Sequence, residues 1–186
     1  DTDYPFSGDV RLRINPARSC RFTLKLRIPT WAGNGNFIPG GLYTCLNESN
    51  DGIIIKVNGT PVHSSIVNGF AEIDRKWKNG DTVELSIPMP VRYVTCDERV
   101  EENRNTTAVT RGPLVYCAEE PDNGCKIQEL AVRPCGDATV SVLGSGILKG
   151  IPAIDCRGNR GIRLIPYFAW NNRGDSQSMM IWLKNE

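Results

Sequence analysis

The sequence lacks several features that would each point to a class of partner. Its 186 residues contain no apolar run near the roughly 18 residues of a membrane-spanning helix, so no membrane partner is expected. Lys and Arg number 22 against 21 Asp and Glu, which leaves a net charge of +1. Nucleic-acid binders usually carry a clear basic excess, so nucleic acid is not expected as a partner either.

Histidine is nearly absent, and no two cysteines form a C-x-x-C pair. His63 is the single histidine, so any Ser-His-Asp or Cys-His arrangement would have to use it. We interpret it as an exposed residue beside a turn. Without clustered cysteines or further histidines, no metal site or cofactor is expected in this chain.

The first residues do not have the basic and then apolar layout of a signal peptide. Since an upstream leader could have been removed, the sequence leaves the compartment open between secreted or periplasmic and cytoplasmic. The seven cysteines are widely spaced and odd in number. We expect mainly reduced, partly buried thiols, with one or two disulfides as the alternative.

Turn signals and alternating apolar residues predict β structure throughout. Five Asn-Gly dipeptides, whose residues tolerate the positive φ of hairpin turns, start at positions 34, 58, 68, 79 and 123. Apolar residues alternate with polar ones over 10–14, 22–28 and 83–87, as expected for half-buried strands. Further strands are predicted at 53–57, 106–118, 126–133, 138–143, 146–154, 161–168 and 178–184.

The fold class predicted from this pattern is all-β, with two tandem antiparallel β-sandwiches. The charged segment 97–105 has no helical stripe of apolar residues and is interpreted as a solvated connector. We place the domain boundary at this segment, so that one sandwich covers 1–97 and the other 98–186. One larger sandwich is the alternative, because all-β domains also reach this length.

Carboxylates and aromatic residues supply the candidates for carbohydrate chemistry. Glycoside hydrolysis needs two carboxylates about 5–10 Å apart, and the candidates are Asp74, Asp81, Glu119, Glu120 and Asp155. Trp170, Asn171, Asn172 and Arg173 are carbohydrate-contact candidates, since an indole face suits sugar C–H groups and the polar side chains suit hydroxyls. The alternative is that these residues close a sandwich end and tie down its loop.

Two other motifs are interpreted as structural. In RKWKNGD at 75–81, Arg75 and Trp77 precede a turn at Gly80, and Asp81 can accept backbone N–H groups there. In RGPLVYCAE at 111–119, the structural residues are Gly112, Pro113 and Tyr116.

The order of the motifs resembles a known family. They are LRIPTW at 26–31, VNG at 57–59, RKWKNGD at 75–81, RGPLVYCAE at 111–119, PYFAWNNRG at 166–174 and MIWL at 180–183. From Tyr4 to Leu183 the chain is similar to the C-terminal half of glycoside hydrolase family 127, the β-L-arabinofuranosidase-like enzymes. The pairing of RGPLVYC with PYFAWNNRG is the most specific part of the match.

The resemblance implies a middle and a C-terminal β-sandwich that follow a catalytic barrel of paired helices. In the family, a zinc-bound cysteine and a glutamate in that barrel perform catalysis, and the zinc cysteines include an adjacent pair that this sequence lacks. We therefore expect no catalytic residue here, with zinc only in the missing domain.

The function expected from the resemblance is a non-catalytic accessory region of an enzyme acting on plant-type polysaccharides. It would brace the helical barrel, mediate homodimer contacts, or do both. The alternative is an independent carbohydrate-binding module. Aromatic and methionine residues at Trp31, Phe37, Met179 and Met180 are candidates for an apolar contact face.

Overall fold

The computed structural model describes residues 1–33, 40–47, 51–174 and 178–186. The Asn-Gly turn predicted at 34 and the contact residue Phe37 lie outside these ranges. No helix in the described ranges is both long and apolar enough to span a membrane. The chain divides into two compact units, Asp1–Asn34 with Asn50–Met89, and Gly35–Ser49 with Pro90–Glu186.

The regular secondary structure of the described ranges is almost entirely β-strand, which confirms the all-β prediction. Within the part of the chain that the structure describes, one short helix, α1 (Glu120–Asn123), and several single 3₁₀ turns lie between the strands. The strands are β1 (Asp9–Ile14), β2 (Cys20–Arg27), β3 (Tyr43–Cys45), β4 (Ile54–Val57), β5 (Thr60–Pro61), β6 (Ile66–Val67), β7 (Phe70–Trp77), β8 (Asp81–Ser86), β9 (Val91–Cys96), β10 (Thr106–Arg111), β11 (Leu114–Glu119), β12 (Ala131–Val132), β13 (Ala138–Val142), β14 (Pro152–Arg157), β15 (Gly161–Pro166), β16 (Met179–Met180) and β17 (Leu183–Asn185).

The first unit has two antiparallel sheets, in the orders β1-β8-β4-β5 and β2-β7-β6. Val10 pairs with Leu85 and Leu24 with Ile73, so the alternating apolar residues of each sheet share one face. The core of the unit consists of Leu26, Ile28, Trp31, Ile55, Val57, Ala71, Ile73, Trp77, Val83, Leu85 and Ile87. The predicted contact residue Trp31 therefore belongs to the core and is not part of an exposed face.

The second unit is organised around the strand order β12-β17-β10-β11-β15-β14-β13, with β9 and β16 pairing to β10 and β11, and β3 to β9. All its pairings are antiparallel except that of β12 with β17. Two apolar clusters lie on the two faces of β11, because Tyr116 and Ala118 belong to one cluster and Cys117 belongs to the other. Met180 packs against the first cluster and Met179 against the second, so neither is a free contact residue.

The division into units differs from the predicted boundary between 97 and 98. The strand β9 belongs to the second unit because Tyr93 pairs with Val109 of β10. The strand β3 joins the same unit through the pairing of Thr44 with Thr95. Neither strand was predicted from the sequence, and the boundary at the charged segment 97–105 counted both with the first domain. Strand pairing depends on distant residues, which a boundary chosen from local charge does not take into account.

Two segments predicted as strands take other forms. Within 126–133, Ile127–Glu129 form a 3₁₀ turn that buries Ile127, and only β12 pairs as a strand. Within 146–154, the residues before Pro152 form a turn, in which the Gly150 N–H donates to the Leu143 carbonyl. The strand β14 therefore begins only at Pro152. The predicted connector 97–105 contains only a 3₁₀ turn at Glu101–Asn103.

Candidate functional site

The segment after β15, which contains the carbohydrate-contact candidates, is held by its own packing. A 3₁₀ turn at Tyr167–Ala169 buries Ala169, while Tyr167 and Phe168 are exposed. Trp170 is half-buried and packs against the apolar cluster that contains Cys117. The rings of Tyr167 and Trp170 stack with centroids 6.5 Å apart and planes at 22°.

Arg173 is the centre of a buried ion cluster. Its Nη1 donates to Asp122 Oδ1 at 2.7 Å, and its Nη2 donates to Asp122 Oδ2 and Glu119 Oε2, each at 2.5 Å. The Glu119 side chain is 2% exposed, that of Asp122 is 9% and that of Arg173 is 24%. Since burying a charged group without a partner is costly, Arg173 compensates the burial of both acids.

The charges of this cluster affect the groups beside it. The hydrogen bond to Asp122 and then that to Glu119 raise the pKa of Arg173 above its ordinary range, because both favour the charged guanidinium. Burial raises the pKa of the Cys117 thiol to about 12, and the negative charges of Glu119 and Asp122 act in the same direction. Cys117 is therefore a protonated core residue and not an activated nucleophile.

The loop also binds the cluster through its backbone. Asn171 has a φ of 59° and donates its N–H to Glu119 Oε1 at 2.6 Å. Asn172 donates its Nδ2 to the Trp170 carbonyl at 3.1 Å. Asn171 and Arg173 thus hold their own loop in place, as the structural alternative for these residues predicts. A sugar contact at Trp170 stays a prediction.

Asp122 completes the cluster and was missed in the sequence. It lies on α1, which starts directly after Glu119, contains Pro121, and ends at Gly124 with a φ of 61°. Asn123 fixes this turn by donating its Nδ2 to the Glu119 carbonyl at 2.8 Å. The sequence signal for α1 was Pro121 followed by Asn123-Gly124, since Pro suits the first turn of a helix and Gly its end.

The structural motif of the first unit surrounds Trp77, which is fully buried. Its Nε1 donates to the Phe22 carbonyl at 3.0 Å, and its ring stacks on that of Phe22 with centroids 5.8 Å apart. The Arg75 guanidinium lies 5.1 Å from the centre of the Trp77 ring. The motif therefore joins β7 to β2 and leaves no indole face for a ligand.

The turn after Trp77 is closed by Asp81. Gly80 has a φ of 86°, and Asp81 Oδ2 accepts the Lys78 N–H at 2.9 Å while Oδ1 accepts Asn58 Nδ2 at 3.0 Å. The hydrogen bond from Lys78 and then that from Asn58 lower the pKa of Asp81. Asp81 is thus an acceptor for a turn, not a proton donor for catalysis.

The corresponding motif of the second unit forms the turn between β10 and β11. Gly112 has a φ of 57°, Pro113 is exposed, and Tyr116 is fully buried in the apolar core. Burial raises the pKa of Tyr116, and its contact with Arg111 opposes that effect. These residues hold a hairpin whose second strand leads directly to Glu119.

Two further catalytic candidates, Asp74 and Asp155, have structural partners, and Glu120 is the first residue of α1. Asp74 forms an ion pair with Arg21 at 2.7 Å, and Asp155 forms one with Arg163 at 2.7 Å. His63 is exposed. Across residues 1–33, 40–47, 51–174 and 178–186, no three His, Cys, Asp or Glu side chains are grouped as a metal ion would require.

Comparisons with known proteins assign both units. Residues 1–89 match the family model described as "Beta-L-arabinofuranosidase, GH127 middle domain", and residues 91–184 match "Glycoside hydrolase family 127 C-terminal domain". A curated relative, the non-reducing end beta-L-arabinofuranosidase of Bifidobacterium longum subsp. longum, is 28% identical over 92% of this chain and 28% of its own length.

Solved structures agree in fold over the whole chain. A GH127 beta-arabinofuranosidase superposes with a TM-score of 0.90 at 36% identity, and the chain covers 31% of it. The GH127 beta-L-arabinofuranosidase Ara127N-Se of Geobacillus stearothermophilus T6 gives a TM-score of 0.80 at 31% identity, with 30% of its length covered. The chain thus spans less than a third of these relatives. It belongs to glycoside hydrolase family 127, of which it comprises the middle and C-terminal domains.

Proposed function

We propose that the chain is a non-catalytic accessory region of a β-L-arabinofuranosidase-like glycoside hydrolase that acts on plant-type polysaccharides. In this role it braces a catalytic helical barrel that is not part of the chain. The zinc expected from the family resemblance would belong to that barrel. Support comes from the two domain matches and from relatives more than three times as long as the matched segment.

The observation that carries the proposal is that the buried carboxylate of Glu119 is fully occupied by structural partners. Glu119, the one fully buried acid in the described ranges, is paired with Arg173 and with a backbone N–H of the loop. A general acid needs a proton to transfer and access to substrate, and Glu119 has neither free space nor a free oxygen. The cluster ties the loop after β15 to β11 and α1, which is a structural use of these charges and not a catalytic one.

The test is the coding region upstream of Asp1. We expect it to encode a helical barrel with an adjacent Cys-Cys pair. In the longer protein, deleting residues 1–186 should lower the melting temperature and the yield of folded enzyme. A barrel that keeps its melting temperature and activity without these residues would contradict the bracing role.

A binding experiment separates this role from an independent carbohydrate-binding module. We expect arabinose-containing oligosaccharides to leave the tryptophan fluorescence of the 186-residue chain unchanged. Quenching that saturates with sugar and is lost in Trp170→Ala would contradict the accessory role. Phe168→Ala, at an exposed neighbour, is the control for a non-specific effect of removing an aromatic ring.

A further inference from the structure

The Asn-Gly dipeptides that begin at 58, 68, 79 and 123 lie in the described ranges and differ in what holds them. Asparagine is chemically labile, and a following Gly leaves its backbone nitrogen open to close approach. That nitrogen can attack the carbonyl carbon (Cγ) of the Asn side chain and displace its amide. The reaction therefore needs a free side-chain amide, a free Gly N–H, and a turn that can move.

Hydrogen bonds hold the side-chain amides of Asn58 and Asn123. Asn58 Nδ2 donates to Asp81 Oδ1 at 3.0 Å, and Asn58 Oδ1 accepts the Thr82 N–H at 2.8 Å. Asn123 Nδ2 donates to the Arg163 carbonyl at 3.0 Å, and Asn123 Oδ1 accepts the Arg163 N–H at 3.0 Å. Attack on either amide requires these bonds to break first, so both side chains are protected.

The backbone nitrogen is held at two of the dipeptides. The Gly80 N–H donates to the Ile14 carbonyl at 3.0 Å, and the Gly124 N–H donates to the Glu120 carbonyl at 2.9 Å. An attacking nitrogen has to leave its acceptor before it can reach the side chain. Asn79 is therefore protected by the residue that follows it.

Asn68-Gly69 has neither form of protection. The Asn68 side chain is exposed. Among the residues that the structure describes, neither this side chain nor the Gly69 N–H has a hydrogen-bond partner. The contacts of the dipeptide are made by its carbonyl oxygens. Arg27 Nη1 donates to the Asn68 and Gly69 carbonyls at 3.2 and 3.3 Å, and the Ile28 N–H donates to the Gly69 carbonyl at 2.9 Å. Both reacting groups are thus free.

The hairpin around Asn68 can also open at low cost. The strand β6 pairs with β7 at two positions only, Ile66 with Ala71 and Val67 with Phe70. Ile66 is 56% exposed and Val67 is 45% exposed, so separating β6 from β7 uncovers little buried apolar surface. Segments of this kind open most often in a folded protein. Opening frees the turn to bring the Asn68 side chain against the next backbone nitrogen.

We propose that Asn68 is a site of spontaneous deamidation. The Gly69 nitrogen forms a bond to Asn68 Cγ, the bond from Cγ to Nδ2 breaks, and ammonia leaves with the proton of the Gly69 N–H. Water then adds to one of the two carbonyl carbons of the cyclic imide and opens the ring, which gives aspartate or isoaspartate. Nothing is oxidised or reduced. The inference does not depend on the accessory role.

The product differs from the original turn in charge and in backbone length. Either form adds a negative charge, which lowers the net charge of +1 by one unit. In the isoaspartate, the former Asn68 carbonyl, which accepts Arg27 Nη1, becomes the free carboxylate. Arg27 then holds it by a charge-assisted hydrogen bond. The chain runs through the side chain instead, and the added carbon weakens the pairing of β6 with β7.

The experiment is incubation of the 186-residue chain in mildly alkaline buffer, followed by peptide mass spectrometry. We expect Asn68 to convert about tenfold or more faster than Asn58, Asn79 or Asn123, because hydrogen bonds must break at those positions first. In guanidinium chloride the four asparagines should convert at similar rates, since each precedes Gly and unfolding removes their hydrogen bonds. This denatured series shows that the native difference comes from the fold.

A variant tests whether hydrogen bonding is the cause of protection. Asp81→Ala removes the acceptor of Asn58 Nδ2. It should raise the native rate at Asn58 and leave that at Asn123, in the second unit, unchanged. The comparison within the wild-type chain holds whether or not this variant folds. Native conversion of Asn58, Asn79 or Asn123 as fast as that of Asn68, or an Asn68 that converts only in guanidinium chloride, would overturn the proposal.

Discussion

Arg173 and Glu119 lie 54 positions apart in the sequence and form an ion pair at 2.5 Å in which the carboxylate is almost completely buried. The pair connects the end of β11 to the loop that follows β15. Asp122 binds the same guanidinium. If the loop moved away from β11, both acids would therefore remain buried without their cation, which is costly. The PYFAWNNRG motif therefore has a structural reason for its arginine.

Replacing Arg173 with Ala should strongly destabilise the second unit. The change leaves Glu119 and Asp122 buried without their cation, and breaking a buried pair costs about 3–5 kcal/mol. Urea unfolding followed by circular dichroism measures the loss. Arg160→Ala is the control, because Arg160 is exposed and lies 4.0 Å from Glu129, and it should change the free energy of unfolding by less than about 1 kcal/mol. Equal losses in the two variants would contradict this account.

Turns were predictable from the sequence where their chemistry is local. Asn58-Gly59 and Asn68-Gly69 both have positive φ and join adjacent strands as two-residue hairpins. The same dipeptide at Asn123-Gly124 ends a helical turn, because Pro121 precedes it in a segment that continues the buried strand β11. The dipeptide specifies a positive φ at Gly124, and the surrounding residues decide which element it ends.

The ion cluster was not predictable in the same way. Glu119 and Arg173 were both named in the sequence, but in separate roles, as a catalytic candidate and a sugar contact. Their pairing depends on β11 lying beside β15, with Cys117 opposite Ile165. Strand pairing over such a separation is set by packing of the whole unit, which periodicity along a single strand does not contain.

Trp77 should be the most costly single side chain of the first unit to remove. Trp77→Ala deletes a fully buried indole, its stack on Phe22 and its hydrogen bond to the Phe22 carbonyl. We expect a loss of about 3–5 kcal/mol in the free energy of unfolding. Ile66→Ala, at an exposed position of the same unit, should cost less than about 1 kcal/mol. Chemical denaturation monitored by circular dichroism compares the two, and a small loss for Trp77→Ala would show that its site is not tightly packed.

Asp155 should make stability depend on acid pH. Its hydrogen bonds from Arg163 and then from Ser141 lower its pKa in the folded state. The pKa of Asp in an unfolded chain is about 3.9. As the pH falls through this value, the unfolded chain binds a proton before the folded chain does, so the free energy of unfolding decreases. The contribution is complete above the unfolded pKa and is lost below the folded one.

The measurement is the free energy of urea unfolding between neutral pH and about pH 3, below the unfolded pKa of Asp. Asp155→Asn should lose stability at neutral pH and show a shallower decline toward acid. Asp137→Asn is the control, because the Asp137 side chain is 84% exposed and lies 3.5 Å from Arg157. If wild type and Asp155→Asn decline in parallel, the pairing with Arg163 does not contribute.

The isolated chain should not hydrolyse aryl β-L-arabinofuranosides. The described ranges contain no group of three or more metal-binding side chains, and the carboxylates Glu119 and Asp155 are each held by an arginine. Release of the aryl group in a continuous absorbance assay should equal the rate in buffer alone. Turnover that survives repurification and disappears in Glu119→Gln or Asp155→Asn would place an active site in this chain.

The seven cysteines should separate into reactive and unreactive groups according to burial. All are free thiols in the structure, and burial raises the pKa of both Cys117 and Cys156 to about 12. At pH 8 a thiol of that pKa is ionised in only about one molecule in 10⁴, and the thiolate is the reactive form. Cys135 is exposed, although burial and the neighbouring Cys45 raise its pKa as well.

Alkylation with iodoacetamide, followed by peptide mass spectrometry, should therefore modify Cys135 in the native chain well before Cys117 or Cys156. In guanidinium chloride all three should react at similar rates, because unfolding removes the desolvation that raises their pKa values. The denatured sample is the control for intrinsic differences between the peptides. Native labelling of Cys117 as fast as that of Cys135 would mean that the core around the Glu119 and Arg173 pair opens to solvent, and the scaffold role argued from that pair would fail with it.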